Sequence, residues 1–188
     1  EADAINQKTQ QKTLGIGTIV HKLAEDWLKG LEVIEPEDKI VGNCFKKFKD
    51  FWITNKLKLL ESEKLLYSEK GFCGTLDIVA TDSSNNLILI DIKTSNGIFH
   101  NYCLQLHAYK YAYEEQTGKK INKLCIVRLP KNDDDFESRI LSYKPLHTKA
   151  FLGLLDCYKS LELYNDQLKE YNANKRKNAN AKPIRKKK

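Results

Sequence analysis

Residues 71–109 read GFCGTLDIVATDSSNNLILIDIKTSNGIFHNYCLQLHAY, and the other elements of the chain are arranged around this stretch. Its two runs, Cys73–Thr81 and Leu87–Thr94, are rich in Val, Ile, Leu and Thr, a composition typical of β-strands. Between them, Asp82–Asn86 is a cluster of turn-forming residues. The stretch therefore predicts a β-hairpin that is followed by a helix.

Three charged residues fall on one face of the predicted hairpin. Side chains alternate between the two faces of a strand, so Asp77, Asp91 and Lys93 share a face if Asp77 lies opposite Asp91 or Lys93. A three- or five-residue loop centred on Ser84 or Asn85 gives this register. The even-numbered positions support it, because they form an unbroken apolar face: Leu76, Ile78, Ala80, Ile88, Ile90 and Ile92.

The surroundings of Asp91 and Lys93 indicate more than an ordinary ion pair. A solvated Asp–Lys pair is the common alternative and contributes only ~0–1 kcal/mol. Both residues, however, lie in LILIDIK, which is typical of a buried central strand, where an uncompensated charge costs several kcal/mol. Carboxylates that converge from adjacent strands suit Mg²⁺ or Mn²⁺ and leave room for a phosphate. The pattern therefore predicts a metal-dependent site that cleaves phosphodiester bonds.

This ordered set of residues resembles the RecB-like branch of the PD-(D/E)XK nuclease superfamily, which includes phage exonucleases and the mitochondrial genome maintenance exonuclease. The motif combines Gly-x-x-Asp on one strand, Asp-x-Lys-Thr on the next strand and Gln-x-x-x-Tyr on the following helix. The matching residues here are Gly74, Asp77, Asp91, Lys93, Thr94, Gln105 and Tyr109. The resemblance extends from about Gly15 to about Pro130, which is most of the chain.

The resemblance implies a divalent-metal-dependent DNA nuclease with Mg²⁺ or Mn²⁺ as its cofactor. Asp77 and Asp91 are then metal ligands, together with the backbone carbonyl of Ile92. Lys93 is the catalytic lysine, which aligns or activates the attacking water. The other two motif residues have supporting catalytic or DNA-contacting roles: Gln105 and Tyr109.

The helix that is predicted to begin after Thr18 carries a further candidate ligand. His21 and Glu25 lie four residues apart on one helix face, although such a pair alone is more often a surface hydrogen bond. RecB-like nucleases often carry Gly-Thr-x-x-His-x-x-x-Glu here, and Gly17, Thr18, His21 and Glu25 match this pattern. The resemblance thus implies His21 as a third metal ligand, with Glu25 as an additional candidate. Related nucleases also often carry a Glu on the strand before the hairpin, which gives two more candidates: Glu63 and Glu61.

The remaining pattern predicts an α/β domain with a central mixed β-sheet flanked by helices. The resemblance implies a restriction-endonuclease-like core within a nuclease domain of residues 1–172. The first helix is predicted to pack through Ile19, Leu23, Trp27 and Leu31. The later predicted elements are a helix over 37–56, a strand over 57–70, the hairpin, a helix over 99–116, strands over 121–130 and 139–146, and a helix over 149–171.

Residues 173–188 form a basic tail. They hold eight lysines and arginines and no acidic residue, so the tail accounts for the net charge of +7 of the whole chain. The tail lacks the apolar content to fold and is predicted to be disordered. Such an arm binds nucleic acid without sequence specificity or serves as a nuclear address.

Five cysteines are spread along the chain without a CxxC pair, and their odd number argues against a complete disulfide framework. Some RecB-like nucleases hold an iron–sulfur cluster through four cysteines, one near the start of the nuclease module and three near its end. The cysteine spacing of this sequence does not match that arrangement. We therefore expect no iron–sulfur cluster and mostly buried thiols.

The sequence also bears on location and partners. It contains no apolar run of membrane-spanning length, and its polar opening EADAINQKTQQKT predicts no signal peptide. We expect an intracellular protein without a membrane partner, in the cytoplasm or, if phage-encoded, in the host cell; nuclear and organellar locations stay open. DNA, as single strands or duplex ends, is the expected partner. Since the sequence has no Walker phosphate loop, a helicase or another replication or recombination protein would have to be a separate partner.

Three functions are compatible with these features. An exonuclease that acts on single-stranded DNA ends, in repair or recombination, is preferred by analogy with the RecB-like branch. A structure-specific or site-cutting DNA endonuclease is the alternative within the enzyme class. A non-catalytic DNA-binding scaffold with the nuclease fold is disfavoured, because it has no reason to keep Asp77, Asp91 and Lys93 together in a buried setting.

Overall fold

The computed structural model describes residues 2–131, 136–141 and 144–180, with side chains described between residues 15 and 177 of these ranges. Its elements are α1 (Ala2–Leu28), α2 (Lys39–Thr54), β1 (Lys58–Ser68), β2 (Phe72–Thr81), β3 (Leu87–Lys93), α3 (His100–Thr117), β4 (Lys123–Arg128), β5 (Glu137–Leu141) and α4 (Pro145–Asn180). This is the predicted order of helices and strands.

One five-stranded sheet connects these elements, with the strand order β1-β2-β3-β4-β5. β3 and β4 are parallel, and the other neighbouring strands are antiparallel. α3 provides the crossover that a parallel β3–β4 pair requires. The predicted fold class, an α/β domain with a central mixed sheet flanked by helices, is therefore confirmed.

The β2–β3 hairpin has one of the predicted registers. Thr81 lies opposite Leu87, so the loop consists of residues 82–86 and is centred on Ser84. Asp82 Oδ1 organises this loop by accepting two of its backbone N–H groups, each at 2.9 Å. The same register aligns Asp77 with Asp91 one step beyond the last paired residues.

Two apolar clusters lie on opposite faces of the sheet. The first combines α1 and α2 with even-numbered strand residues such as Ile88 and Ile90. The second combines α3 with odd-numbered residues such as Val79 and Leu89. Strands that are buried on both faces show this alternation. Leu76, which is predicted on the first face, packs instead in the second cluster, beyond the point where β2 stops pairing with β3.

α1 begins earlier than predicted. It starts at Ala2 rather than after Thr18, because residues 2–14 contain neither Gly nor Pro and are mostly strong helix formers. This polar segment carries no apolar repeat from which a helix could be predicted.

The packing face of α1 is also turned relative to the prediction. Leu23 and Trp27 pack partly buried against the first cluster, whereas Ile19 and Leu31 are exposed. Within residues 15–28, where the side chains of α1 are described, the buried ones lie four residues apart in a single row: Ile16, Val20 and Ala24.

The chain divides into two compact units, Glu1–Thr148 and Lys149–Lys188. The predicted nuclease domain of residues 1–172 stays a prediction. Residues 173–180, predicted to be disordered, continue α4 as helix, because they contain no Gly or Pro and include the helix formers Ala, Lys and Arg. The rest of the predicted tail, residues 181–188, lies outside the described residues.

The cysteines are less buried than predicted. Cys44 and Cys125 are buried, but Cys73 and Cys157 are exposed. Cys73 lies on β2 near the edge strand β1, where alternate side chains face solvent.

No membrane-spanning helix occurs in the described part of the chain, because none of its helices combines sufficient length with sufficient apolar character.

Candidate functional site

The two aspartates of the motif converge where the hairpin strands separate. β2 and β3 pair as far as Ile78 and Ile90. One residue further, Asp77 Oδ2 accepts the backbone N–H of Ile92 at 2.7 Å. This bond anchors the Asp77 side chain to β3, the strand that carries Asp91. The two carboxylates therefore enter one site from adjacent strands.

Lys93 connects Asp91 to helix α3. Its Nζ donates to Asp91 Oδ1 at 2.9 Å and lies 2.9 Å from Oδ2. The same ammonium donates to Gln105 Oε1 at 3.0 Å, and Gln105 Nε2 donates to Tyr109 Oη at 3.1 Å. Gln105 and Tyr109 both take part because residues four apart share a helix face. The structure thus joins these four predicted residues in one hydrogen-bonded chain.

Two further contacts fix the α3 end of this hydrogen-bonded network. A Cβ atom at Gly74 would lie 2.7 Å from Tyr109 Cε1, so only glycine lets the Tyr109 ring lie against β2. The Tyr102 ring lies under Lys93, with 5.0 Å between Nζ and the ring centroid. Sequence reasoning gave Tyr102 no role in the site, although its position three residues before Gln105 places both on one helix face.

His21 brings α1 to the same end of the hairpin. Its Nδ1 lies 3.6 Å from Asp77 Oδ2, and its ring also hydrogen-bonds to the backbone of Ile92. α1 approaches this closely because Gly17 has no side chain. A Cβ atom there would lie 3.0 Å from Thr94 Oγ1.

His21, Glu63 and Asp77 form a group that could hold a metal ion. One potential ligand atom from each lies within 4.8 Å of the other two. Glu63 is adjacent to Asp77 across the β1–β2 pair, and its φ of 47° lies in the left-handed region. A non-glycine residue in this conformation is strained, and such strain is concentrated at functional sites.

The other two glutamate candidates are paired with lysines. Glu25 accepts hydrogen bonds from Lys22, at 3.2 Å, and from Lys29. Glu61 accepts a hydrogen bond from Tyr113 Oη at 2.7 Å and pairs with Lys64. The compact group around Asp77 therefore contains Glu63, whereas Glu25 lines the adjacent cleft.

Burial controls the charge of the site. It raises the pKa of Asp77, and burial together with the nearby Asp77 charge raises the pKa of Asp91. Burial alone would lower the pKa of Lys93, but the charge and hydrogen bond of Asp91 outweigh it and raise that pKa. Burial, followed by the Lys93 charge, lowers the pKa of His21, which favours a neutral imidazole at pH 7. Two carboxylates therefore face one ammonium and one neutral ring.

This donor set fits a divalent cation. Asp91 is 1% exposed, and Lys93 Nζ, 2.9 Å from its Oδ2, compensates part of its charge. Among the described side chains, Asp77 has no such ammonium contact, so the buried pair keeps an excess of negative charge that a cation would offset. Carboxylate oxygens are the ligand type that Mg²⁺ and Mn²⁺ prefer, and a neutral imidazole has a ring nitrogen able to coordinate a metal. Asp91 lies outside the compact group of His21, Glu63 and Asp77 and is held instead against Lys93.

An open cleft of about 390 Å³ gives access to this group from solvent. α1 and β1 supply its lining: Gly17, Thr18, His21, Lys22, Glu25 and Glu63. A substrate that enters the cleft therefore meets the His21 and Glu63 side of the site.

No protein-family model matches the sequence. No curated protein matches it either. Among solved structures, the chain is similar to a candidate exonuclease from Eubacterium rectale, with 12% identity and a TM-score of 0.48 over 79% of this chain and 66% of that one. It is also similar to the protein SSO0001, with 15% identity and a TM-score of 0.41 over 63% of this chain and 57% of that one. The chain thus spans less than two thirds of the length of either protein. Structural similarities with TM-scores this low do not indicate a function. The function has to be inferred from the residues of the site.

Proposed function

We propose that this chain is a divalent-metal-dependent DNA nuclease of the RecB-like type, which hydrolyses phosphodiester bonds. The proposal depends on one observation: Asp77, Asp91 and Lys93 converge with His21 where β2 and β3 separate. A buried acidic pair beside an ammonium and a neutral imidazole is costly for a purely structural role, and it suits phosphodiester chemistry.

Asp77, Asp91 and His21 are the proposed ligands of Mg²⁺ or Mn²⁺, with Glu63 and the Ile92 carbonyl as additional donors. A bound ion would polarise the scissile phosphate and lower the pKa of a coordinated water. The hydrogen bond from Ile92 N–H to Asp77 holds that carboxylate in place before any ligand arrives. Positioning of this kind limits the reorganisation that the reaction requires.

Lys93 is the proposed catalytic lysine. Its ammonium is held by Asp91, Gln105 and the Tyr102 ring, so it points into the site in a fixed orientation. In this position it aligns the attacking water and offsets negative charge on the phosphate as the phosphorus becomes five-coordinate. Gln105 and Tyr109 support this orientation through their own hydrogen bond.

Exonucleolytic cleavage of single-stranded DNA ends is the proposed mode of action, and endonucleolytic cleavage is the alternative. The test compares end-labelled linear single-stranded, duplex and circular single-stranded DNA in Mg²⁺, in Mn²⁺ and in EDTA. Wild-type protein is compared with Lys93→Ala and with Lys120→Ala, which removes an exposed lysine from the loop between α3 and β4.

The exonuclease proposal predicts metal-dependent loss of linear but not circular DNA. Lys93→Ala should abolish this cleavage, and Lys120→Ala should retain it. Cleavage of the circle would instead indicate an endonuclease. DNA binding without cleavage in either metal would contradict the nuclease proposal and leave a DNA-binding scaffold.

A further inference from the structure

An exposed aromatic ring contacts the tyrosine on which the proposed catalytic lysine lies. Phe99 directly precedes α3 and is 52% exposed. Its ring contacts Tyr102 edge to face, with 5.5 Å between the ring centroids. Tyr102 in turn lies under Lys93, with 5.0 Å between its centroid and Nζ. The Phe99 ring centroid therefore lies at most 10.5 Å from Lys93 Nζ.

The structure of α3 alone does not account for a phenylalanine at this position. Phe99 occupies the N-cap and makes no side-chain capping hydrogen bond. Ser, Thr, Asp and Asn are strongly preferred at an N-cap, where each stabilises a helix by about 1 kcal/mol relative to a residue that cannot cap. The chain thus forgoes a stabilising contact and exposes an apolar ring that contacts Tyr102.

The turn before Phe99 leaves the ring uncovered. A Cβ atom at Gly97 would lie 3.7 Å from Phe99 Cζ, an ordinary van der Waals distance, so Gly97 borders the ring. The Ser95 hydroxyl donates to the Gly97 carbonyl at 2.7 Å, which holds the turn in this shape. Gly97 therefore adds no side-chain atoms beside the Phe99 ring.

We propose that Phe99 is a stacking platform for an unpaired nucleobase of the strand whose phosphate lies at Lys93. Exposed aromatic rings beside a backbone-binding site bind single-stranded nucleic acid in this way, because every base has a flat π-face. A base within a duplex is already stacked and paired and cannot take this position without being unpaired. Phe99 would therefore favour single-stranded over duplex DNA. This inference rests on the proposed function and adds the feature that selects its substrate.

The test measures binding of fluorescein-labelled oligothymidylate and of a blunt duplex by anisotropy, in Ca²⁺ in place of the cofactor. Phe99→Ala should weaken single-strand binding by about 5- to 150-fold, as expected for the loss of one stacked base, and leave duplex binding unchanged. Phe99→Tyr should retain binding. Tyr164→Ala, which removes an exposed ring from α4, should have no effect on either ligand.

A serine variant separates binding from folding. Phe99→Ser can cap α3, which offsets the lost contact with Tyr102, so its melting temperature should equal or exceed that of wild type. Its single-strand binding should nevertheless be as weak as that of Phe99→Ala. An oligonucleotide with one abasic position should locate the stacked base, because Phe99→Ala should cause no further loss on that oligonucleotide.

The outcomes separate this inference from the nuclease proposal. The proposed stacking role of Phe99 is wrong if Phe99→Ala binds oligothymidylate like wild type, or if it loses single-strand and duplex binding equally. It is also wrong if the wild-type protein binds no single-stranded DNA. Whether the wild-type protein cleaves DNA in Mg²⁺ or Mn²⁺ is measured independently and decides only the proposed function.

Discussion

Lys93 Nζ lies 2.9 Å from both carboxylate oxygens of Asp91, and both residues come from the same strand, β3. Residues two apart on a strand project to the same face, so the register that buries Asp91 also places the ammonium beside it. This pair compensates part of the buried negative charge. Asp77 instead contacts the backbone N–H of Ile92 and the His21 ring, so its charge is the one that a bound cation would compensate most.

Gln105 should act on the rate and not on substrate affinity, because it contacts Lys93 rather than the open cleft. We expect Gln105→Leu to lower kcat by about 10- to 100-fold, as for loss of a residue that orients a catalytic group, with little change in KM. Gln116→Leu is the matched control on α3, since the Oε1 of Gln116 is buried without a hydrogen bond. Equal effects of both substitutions on kcat would contradict this role.

Gly74→Ala should damage both stability and activity, because the new Cβ atom would lie 2.7 Å from Tyr109 Cε1. Overpacking of this kind costs about 1–3 kcal/mol in the free energy of unfolding, which urea denaturation measures. Gly15→Ala is the control, since a Cβ atom there meets nothing within 4 Å and alanine favours a helix. An unchanged midpoint and activity for Gly74→Ala would show that Tyr109 need not lie against β2.

Glu63 and Glu25 should differ in their effect on metal dependence. Glu63 lies in the compact group with His21 and Asp77, whereas Glu25 is held by Lys22 and Lys29. We expect Glu63→Gln to raise the Mn²⁺ concentration at half-maximal cleavage by about tenfold or more, because a charged oxygen ligand is lost. Glu25→Gln should leave that concentration unchanged. The opposite ranking would assign the ligand to α1 instead of β1.

The metal-free protein should lose stability through these aspartates as the pH rises. The pKa values of Asp77 and Asp91 are raised above the unfolded value of about 4, so the folded state binds their protons more tightly. The stabilisation that these two carboxyl groups provide is fully present below their pKa in the unfolded state. It is lost as the pH rises through their higher pKa values in the folded state.

Asp77→Asn removes one of these charges and can still accept the Ile92 N–H bond. In EDTA, the free energy of unfolding of Asp77→Asn minus that of wild type should therefore increase between about pH 4 and pH 7.5. We expect an increase on the order of 1–3 kcal/mol, which urea titrations at several pH values would measure. A difference that does not change with pH would show that the Asp77 pKa is not raised.

The hairpin could be predicted from sequence because its information is local. Turn formers at residues 82–86 and alternating apolar positions limited the hairpin to registers centred on Ser84 or Asn85, and the register found aligns Asp77 with Asp91. The Gln105–Tyr109 pair was equally accessible, because residues four apart must share a helix face. Periodicity predicts which of these side chains share a face, whereas their membership in one site was implied by the resemblance to RecB-like nucleases.

Other features depend on tertiary contacts that periodicity does not contain. Whether Glu25 or Glu63 joins His21 and Asp77 depends on how α1 crosses β1. It also depends on the left-handed backbone conformation of Glu63 within β1. The extent of α1 and α4 was underestimated, because polar helical segments carry no apolar repeat. The contact between Tyr102 and Lys93 likewise appears only when α3 is placed on the sheet.

The most direct test of the proposed metal-dependent site is the single-turnover cleavage rate of linear single-stranded DNA in saturating Mn²⁺, for wild type and Asp77→Asn. The substitution keeps the shape of the side chain and its bond to Ile92 but removes a proposed ligand charge. We predict a rate at least about 100-fold lower, with an unchanged or higher melting temperature. A variant that cleaves at nearly the wild-type rate would contradict the proposed site, because Asp77 would then not be part of the catalytic metal centre.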